Sequence, residues 1–327
     1  MKKVLFIVLS VVAALMLAVL IGASFYMLHY ALAPAPDRFD TESHYVEFRH
    51  DHPEAVAWLD SLQQADALRD TFLIMPSGER HHAYYILSPD SSASHRVALV
   101  LHGWRGTPIR FLHIARIYHQ QLGFHVILPD LHAHGLSEGQ AIGMGWKERL
   151  DVLRWMQMGY ETMQCDSFMV HGISMGAATT MNVSGEPMPS FVRDIRFVED
   201  CGYTSAWDEF AYELHQDFHL PPFPLQFVAS LMCRLRYGWS FGQNSPFRQV
   251  TRCPYPMLFI HGDRDDFVPS WMVDPLYEAK PGPKQLWITT DCGHNDSYAH
   301  HTEEYIKAVK TFSLRKFKGS KELGVRN

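Results

Sequence analysis

The chain has 327 residues, 47% of them hydrophobic, 20% charged and 13% aromatic, with a formal net charge of -6. That is an ordinary composition for a globular protein with a sizeable core, one large α/β domain or two small ones, and the acidic balance argues against a nucleic-acid binder. The five cysteines include no C-x-x-C pair and, being odd in number, form no complete disulfide framework; the 20 histidines are scattered rather than set in a metal-ligand pattern.

After Lys2-Lys3 the run from Val4 to Leu28 carries no charge. At about 1.5 Å per residue it makes a helix of roughly 38 Å, enough to cross a bilayer with some tilt. A cleaved signal peptide is the rival, but its apolar region normally runs about 7–15 residues. Ala31-Leu32-Ala33 resembles a cleavage box, yet Pro34 follows directly. Residues 1–32 are therefore expected to be an uncleaved membrane anchor standing apart from the fold. Tyr26 and Tyr30 fall where an interfacial belt would lie, Lys2-Lys3 stay inside, and the rest of the chain faces outward.

Residues 33–69 are expected to hold a Pro-stiffened linker (33–44) and a helix over 53–68, with Pro53 at its first position. "TFLIM" and "HAYYIL", separated by Pro76-Ser77-Gly78, predict an antiparallel hairpin. "RVALVLHG" is too short for a helix and reads as a buried strand. Strands "HVILPD", "SFMVHG", "IRFVED", "MLFIHG" and "QLWIT" then alternate with helices near 110–121, 146–158, 175–183, 271–279 and 301–313. This alternation predicts a mostly parallel sheet with helices on both faces and functional loops at the strand carboxyl ends. The aromatic-rich, helical segment 203–250 interrupts the rhythm and is expected to be an inserted lid. It divides the core into 70–202 and 251–315, and a basic tail, 316–327, follows.

Two segments spell G-x-S-x-G: Gly135 to Gly139 around Ser137, and Gly172 to Gly176 around Ser174. A nucleophile elbow needs a strand entering, a helix leaving and small neighbours, because the serine holds strained dihedrals where strand and helix pass closely. Ser174 has all three. Ser137 does not: polar "LHAH" separates it from its strand, and glycine-rich "QAIGMG" follows. Ser137 is expected to be a loop residue, with Asp130 and His134 shaping that loop.

A serine hydroxyl needs a base, itself oriented by a carboxylate, in the order serine, acid, histidine. "DRDDFVP" offers Asp263, Asp265 and Asp266 after one strand, and "DCGHND" places His294 after the next. Asp263, directly after the strand, is the expected cap, which leaves Asp265 or Asp266. Backbone N–H groups of Met175 and Trp104, the latter from loop "HGWRGTP", are the expected oxyanion donors. In "Asp130-Leu131-His132-Ala133-His134" the two histidines could ligate a metal, but no third and fourth ligands are apparent.

With "HGW", "HGISMG", "HGDRDDFVP" and "CGHND" in this order, the chain resembles a serine α/β-hydrolase over roughly residues 70–315. It is similar to bacterial membrane-anchored or exported members near the serine aminopeptidase and carboxylesterase branches. "PDLHAHGLSEG" departs from that group's Asp-x-Arg-x-His-Gly-x-Ser loop, His132 standing for the arginine. The family pattern H-G-x-x-D-x-x-V-P puts the acid at its fifth position, which selects Asp265. The resemblance implies the chemistry and not the substrate; a small-molecule ester or short peptide is expected, with no cofactor. An ester hydrolase is the leading expectation. An aminopeptidase or amidase would need an anionic pair for the substrate amine, such as Glu209 or Glu213 in the lid. A third possibility is a non-catalytic scaffold that binds a partner at the cell surface.

Overall fold

A computed structural model describes residues 1–90 and 94–317. Its strands are β1 (Leu68–Ile74), β2 (Arg80–Ile86), β3 (Arg96–Leu101), β4 (His125–Pro129), β5 (Ser167–Ile173), β6 (Asp194–Asp200), β7 (Met257–Gly262) and β8 (Lys284–Thr289). They form one sheet in the order β1-β2-β4-β3-β5-β6-β7-β8. β1, β2 and β4 pair antiparallel, and every other pairing is parallel, so the expected hairpin occupies one edge of a mostly parallel sheet.

Side chains alternate across a strand, and β3 feeds both faces of the sheet accordingly. Val97, Leu99 and Leu101 enter one core; Ala98 and Val100 enter the other. α1 (Lys2–Leu32), α2 (Thr41–Asp51), α3 (Val56–Gln64), α4 (Leu112–Arg116), α5 (Glu148–Met163) and α6 (Met175–Ser184) precede β6 in the chain. α5 and α6 cover the first face through Val152, Trp155, Met175 and Met181. α2, α3 and α4 cover the second through Phe48, Leu59, Leu62 and Ile114. Between β6 and β7 the expected insertion is helical: α7 (Ala206–Phe218), α8 (Leu225–Tyr237) and α9 (Pro246–Val250). α10 (Val273–Ala279), α11 (Ser297–His300) and α12 (Thr302–Leu314) complete the chain, and α12 seats Tyr305, Val309 and Phe312 in the second core. Of the basic tail, residues 318–327 lie outside the described residues.

Two features differ from expectation. Part of the linker is α2: Asp40 caps it by accepting the Ser43 N–H, and Phe48 pins it to the core at 1% exposure. Its polar sequence hides an amphipathic pattern carried by that one large residue, and Phe48→Ala should cost about 3–5 kcal/mol. The N-terminal helix also does not stand apart from the fold. It is long and apolar enough to cross a membrane, and its first turns are exposed, but Ser24, Leu28 and Leu32 are buried. Leu32 accepts the Ile142 N–H, and Ser24 Oγ reaches the carbonyl of Leu225 on α8. A helix this apolar buries any stripe for which the domain offers a groove, and α8 offers one.

Candidate active site

Ser174 follows β5 and opens α6, with φ 57° and ψ -120°. Such strain persists only where the surroundings enforce it. A Cβ on Gly172 would run into the Gly176 carbonyl, and one on Gly176 into the Leu101 carbonyl. Strand and helix therefore pass at glycine distance, and the Ser174 N–H is tied to the Asp200 carbonyl at 2.8 Å. The turn turns the hydroxyl out of the sheet instead of into the core.

The Ser174 hydroxyl lies 2.9 Å from His294 Nε2, and His294 Nδ1 lies 2.8 Å from Asp265 Oδ2. With its proton on Nδ1 the imidazole donates to Asp265 and accepts from Ser174. Asp265 Oδ1 accepts the N–H groups of Phe267 and Val268. Burial alone would push the Asp265 carboxyl up, but hydrogen bonds from His261 and His294 outweigh it and hold the group below its ordinary value. Asp266 is exposed, and Asp263 accepts the Cys292 N–H, fixing the neighbouring loop. The structure thus brings Ser174, Asp265 and His294 together and leaves the other two aspartates out.

Met175 opens α6, so its N–H points out of the helix N-terminus. The Trp104 loop lies across from it, with Gly103 packed against the Ser174 Cβ position. That loop is held from two sides. The Arg105 N–H donates to His134 Nε2 at 3.1 Å, while the side chains of Trp104 and Arg105 donate to the carbonyls of Ala31, Ala33 and Tyr30 at the end of α1. A guanidinium at a helix C-terminus complements its dipole. Nothing in the sequence pointed to this tie between the N-terminal helix and the loop.

Ser174 sits where two cavities meet. One, about 320 Å³, lies beneath α7 and α8 and is walled mainly by apolar groups, among them Met27, Trp104, Tyr203, Phe210 and Phe241. The other, about 470 Å³, is lined by His294, His52, His113, Phe111 and Tyr298. Glu209, Glu213 and Asp217 line the first cavity, spaced four apart along α7. Glu209 Oε2 is buried without a hydrogen-bond partner. Burial, reinforced by Asp217, pushes Glu213 up to about 7.

Ser137 has a different place. Its hydroxyl donates to the Asp130 carbonyl at 2.6 Å and accepts the His82 N–H at 2.9 Å, within the loop after β4. His132 and His134 diverge, His134 toward Arg105 and His132 toward Glu79. Cys201, Asp265 and His294 offer ligand atoms close together. Two of them are engaged with Ser174 or each other, and burial pushes the Cys201 thiol well up, so this set does not suit a metal.

Residues 98–308 match the family model described as alpha/beta hydrolase family. The uncharacterised protein YqkD of Bacillus subtilis (strain 168) is 28% identical over 256 residues, covering 77% of this chain and 82% of that protein. The Pyrococcus furiosus esterase Pf2001 has a TM-score of 0.59 at 20% identity, over 75% of this chain and 91% of its own. An acylaminoacyl peptidase in complex with Z-Gly-Gly-Phe-chloromethyl ketone has 0.58 at 15%, over 77% of this chain and 42% of its own. At these identities the likeness to the solved structures is one of fold.

Proposed function

Because the chain belongs to the alpha/beta hydrolase family, and is a hydrolase, we propose that it cleaves carboxylic esters with Ser174 as nucleophile, His294 as base and acid, and Asp265 as the orienting carboxylate. The observation that carries this reading is the unbroken run of contacts from Asp265 through His294 to a serine held at φ 57°. As Ser174 Oγ bonds to the ester carbonyl carbon, its proton passes to His294 Nε2. The carbonyl electron pair moves onto oxygen, where the Met175 and Trp104 N–H groups receive it. Collapse of this intermediate expels the alcohol, which takes the proton from His294. Water then repeats both steps on the acyl-enzyme and restores Ser174. Asp265 stabilises the imidazolium formed in each half.

The two cavities take the two halves of the substrate. The leaving group must meet His294 Nε2, and His294 lines the larger cavity; the acyl group then occupies the smaller, apolar one. We read the N-terminal helix as an anchor, with Lys2-Lys3 inside and the catalytic domain outside. A second reading, hydrolysis of aminoacyl amides or esters, is supported by Glu209, Glu213 and Asp217, which line the acyl-side cavity where a substrate ammonium would sit.

A fluorophosphonate probe on the full chain tests the chemistry. Labelling of Ser174 that disappears in His294→Ala supports it, and labelling elsewhere or none at all overturns it. A panel of short acyl esters against aminoacyl amides separates the two substrate readings. Faster amide turnover would reject the esterase.

A further inference from the structure

A second constellation lies away from Ser174, at the junction of the β1–β2 hairpin with the loop after β4. Glu79 ends the hairpin turn, where its carbonyl accepts the Met75 N–H, and His81 follows on β2. Antiparallel pairing of β2 with β4 carries this end of the hairpin alongside the loop, where the Glu138 N–H donates to the Arg80 carbonyl. His132, one residue beyond Leu131 in that loop, thereby faces Glu79 and His81. Glu79 Oε2 lies 3.2 Å from His132 Nδ1 and 3.9 Å from His81 Nε2. One ligand atom from each of the three residues lies within 4.8 Å of the other two.

Hydrogen bonding accounts for only part of this cluster: His132 Nδ1 meets Glu79 at 3.2 Å, and His81 Nδ1 lies 3.3 Å from Asp151. His81 is 0% exposed and His132 1%. His81 Nε2, which faces Glu79 within the cluster, has no hydrogen-bond partner. Leaving a buried polar atom unpaired costs about 1–3 kcal/mol, so a chain that buries His81 Nε2 beside a carboxylate and a second imidazole needs a reason to do so. A metal ion supplies one.

We infer that Glu79, His81 and His132 form a metal site, most suited to Zn²⁺, that ties the hairpin to the loop after β4. Zinc binds imidazole nitrogen and carboxylate oxygen at about 2.0–2.2 Å, which sets ligand atoms of a tetrahedral site roughly 3.3–3.5 Å apart. The separations of 3.2 and 3.9 Å to Glu79, and one of at most 4.8 Å between the histidine atoms, would close to that by rotation of the side chains. The outer partner is in place as well: Asp151 Oδ2 stands 3.3 Å from His81 Nδ1, on the side of the ring away from Glu79. A carboxylate there fixes the tautomer that leaves Nε2 free to ligate. Two imidazoles with one carboxylate favour zinc over magnesium or calcium, which prefer oxygen alone. The side chain of Glu79 is 31% exposed, which gives the ion a way in and leaves a fourth position for water.

The site would act on the fold at a distance from the chemistry. The same loop carries His134, which holds the Arg105 N–H, so a metal at His132 would stiffen the segment that supports the Trp104 loop.

The test uses the untagged full chain in detergent, stripped with a chelator and titrated with ZnCl₂ against a chromophoric competitor. The expected result is one zinc per chain with Kd below about 1 µM and a rise in Tm on binding. His132→Gln and Glu79→Gln should each weaken binding at least tenfold. Asp151→Asn, which touches no metal, should weaken it about 10–100-fold. Ser174→Ala should bind as the wild type does, which separates this site from the Cys201, Asp265 and His294 group. X-ray absorption of the zinc-loaded wild type, which needs no variant to fold, should show only nitrogen and oxygen neighbours. No stoichiometric zinc at micromolar concentration, a sulfur neighbour, or affinity unchanged in both His132→Gln and Glu79→Gln would overturn the inference.

Discussion

The chain holds the same five-residue pattern twice, and the two copies do opposite things with a hydroxyl. Around Ser174 a strand and a helix cross so closely that only glycines fit, and the hydroxyl of the strained serine donates to His294. Around Ser137 the serine bonds in both directions to backbone, to Asp130 and His82, and locks a loop. Each has an aspartate–histidine pair nearby: Asp265 with His294, and Asp130 with His82 at 2.7 Å. The lesson is that reactivity comes from what a hydroxyl is left free to do. A pattern of glycines and serine cannot by itself distinguish a hydroxyl turned toward a histidine from a fastener.

Paired substitutions sharpen this contrast. Ser174→Ala should lower kcat by about 10⁵–10⁶ with little change in stability. Ser137→Ala should leave kcat within a few-fold but cost about 1–3 kcal/mol, because it orphans a buried carbonyl and a buried N–H. Steady-state kinetics beside urea melts would read both, and comparable kinetic losses in the two variants would erase the distinction. Next in size, Asp265→Asn should cost about 10⁴ in kcat by favouring the wrong tautomer of His294. Asp130→Asn should lower Tm and spare the rate.

The two regions also differ in the sign of their pH dependence. Glu199, on β6 beneath the elbow, is pushed up to about 8 by burial. Between the unfolded value of 4.5 and about 8 the folded state holds a proton that the unfolded state releases. Stability therefore falls as pH rises through that window, by up to about 1.4 kcal/mol per unit. Glu79 is the reverse: its hydrogen bond with His132 holds it down to about 2, so its contribution is full above 4.5 and is lost as pH falls toward 2. In metal-free protein, Glu199→Gln should flatten the alkaline limb and Glu79→Gln the acid limb, as measured by urea melts from pH 3 to 9. The smallest effect concerns substrate charge. Glu213→Gln should raise KM about two- to fivefold for an aminoacyl substrate above pH 7 and leave a neutral ester unaffected.

Much of the fold was legible because its strands are short apolar runs bounded by turns and its sheet is mostly parallel, two features that leave a local trace. The positions of Ser174 and His294 past strand ends were legible for a related reason, since each follows a short apolar strand, the first marked by Gly172 at its end and the second by a polar loop. Choosing Asp265 over Asp266 needed the family pattern: adjacent aspartates look alike until the loop buries one and exposes the other. α2 was missed because a helix held by one phenylalanine shows little periodicity. The Glu79, His81 and His132 group could not be seen, because a hairpin turn, a strand and a distant loop meet only through β2–β4 pairing. The histidines read together in sequence, His132 and His134, point to different neighbours once folded.

The end of α1 and its cap residue Ala33 hand three carbonyls to Trp104 and Arg105, and Met27, Tyr30 and Ala31 wall the smaller cavity. Cleavage after Ala33 would therefore reach beyond the N-terminal helix itself. It would cut the chain beside the segment that holds the Trp104 loop and walls one side of the smaller cavity. If the Trp104 N–H holds the oxyanion as proposed, a copy cleaved there should turn over esters more slowly than the intact chain.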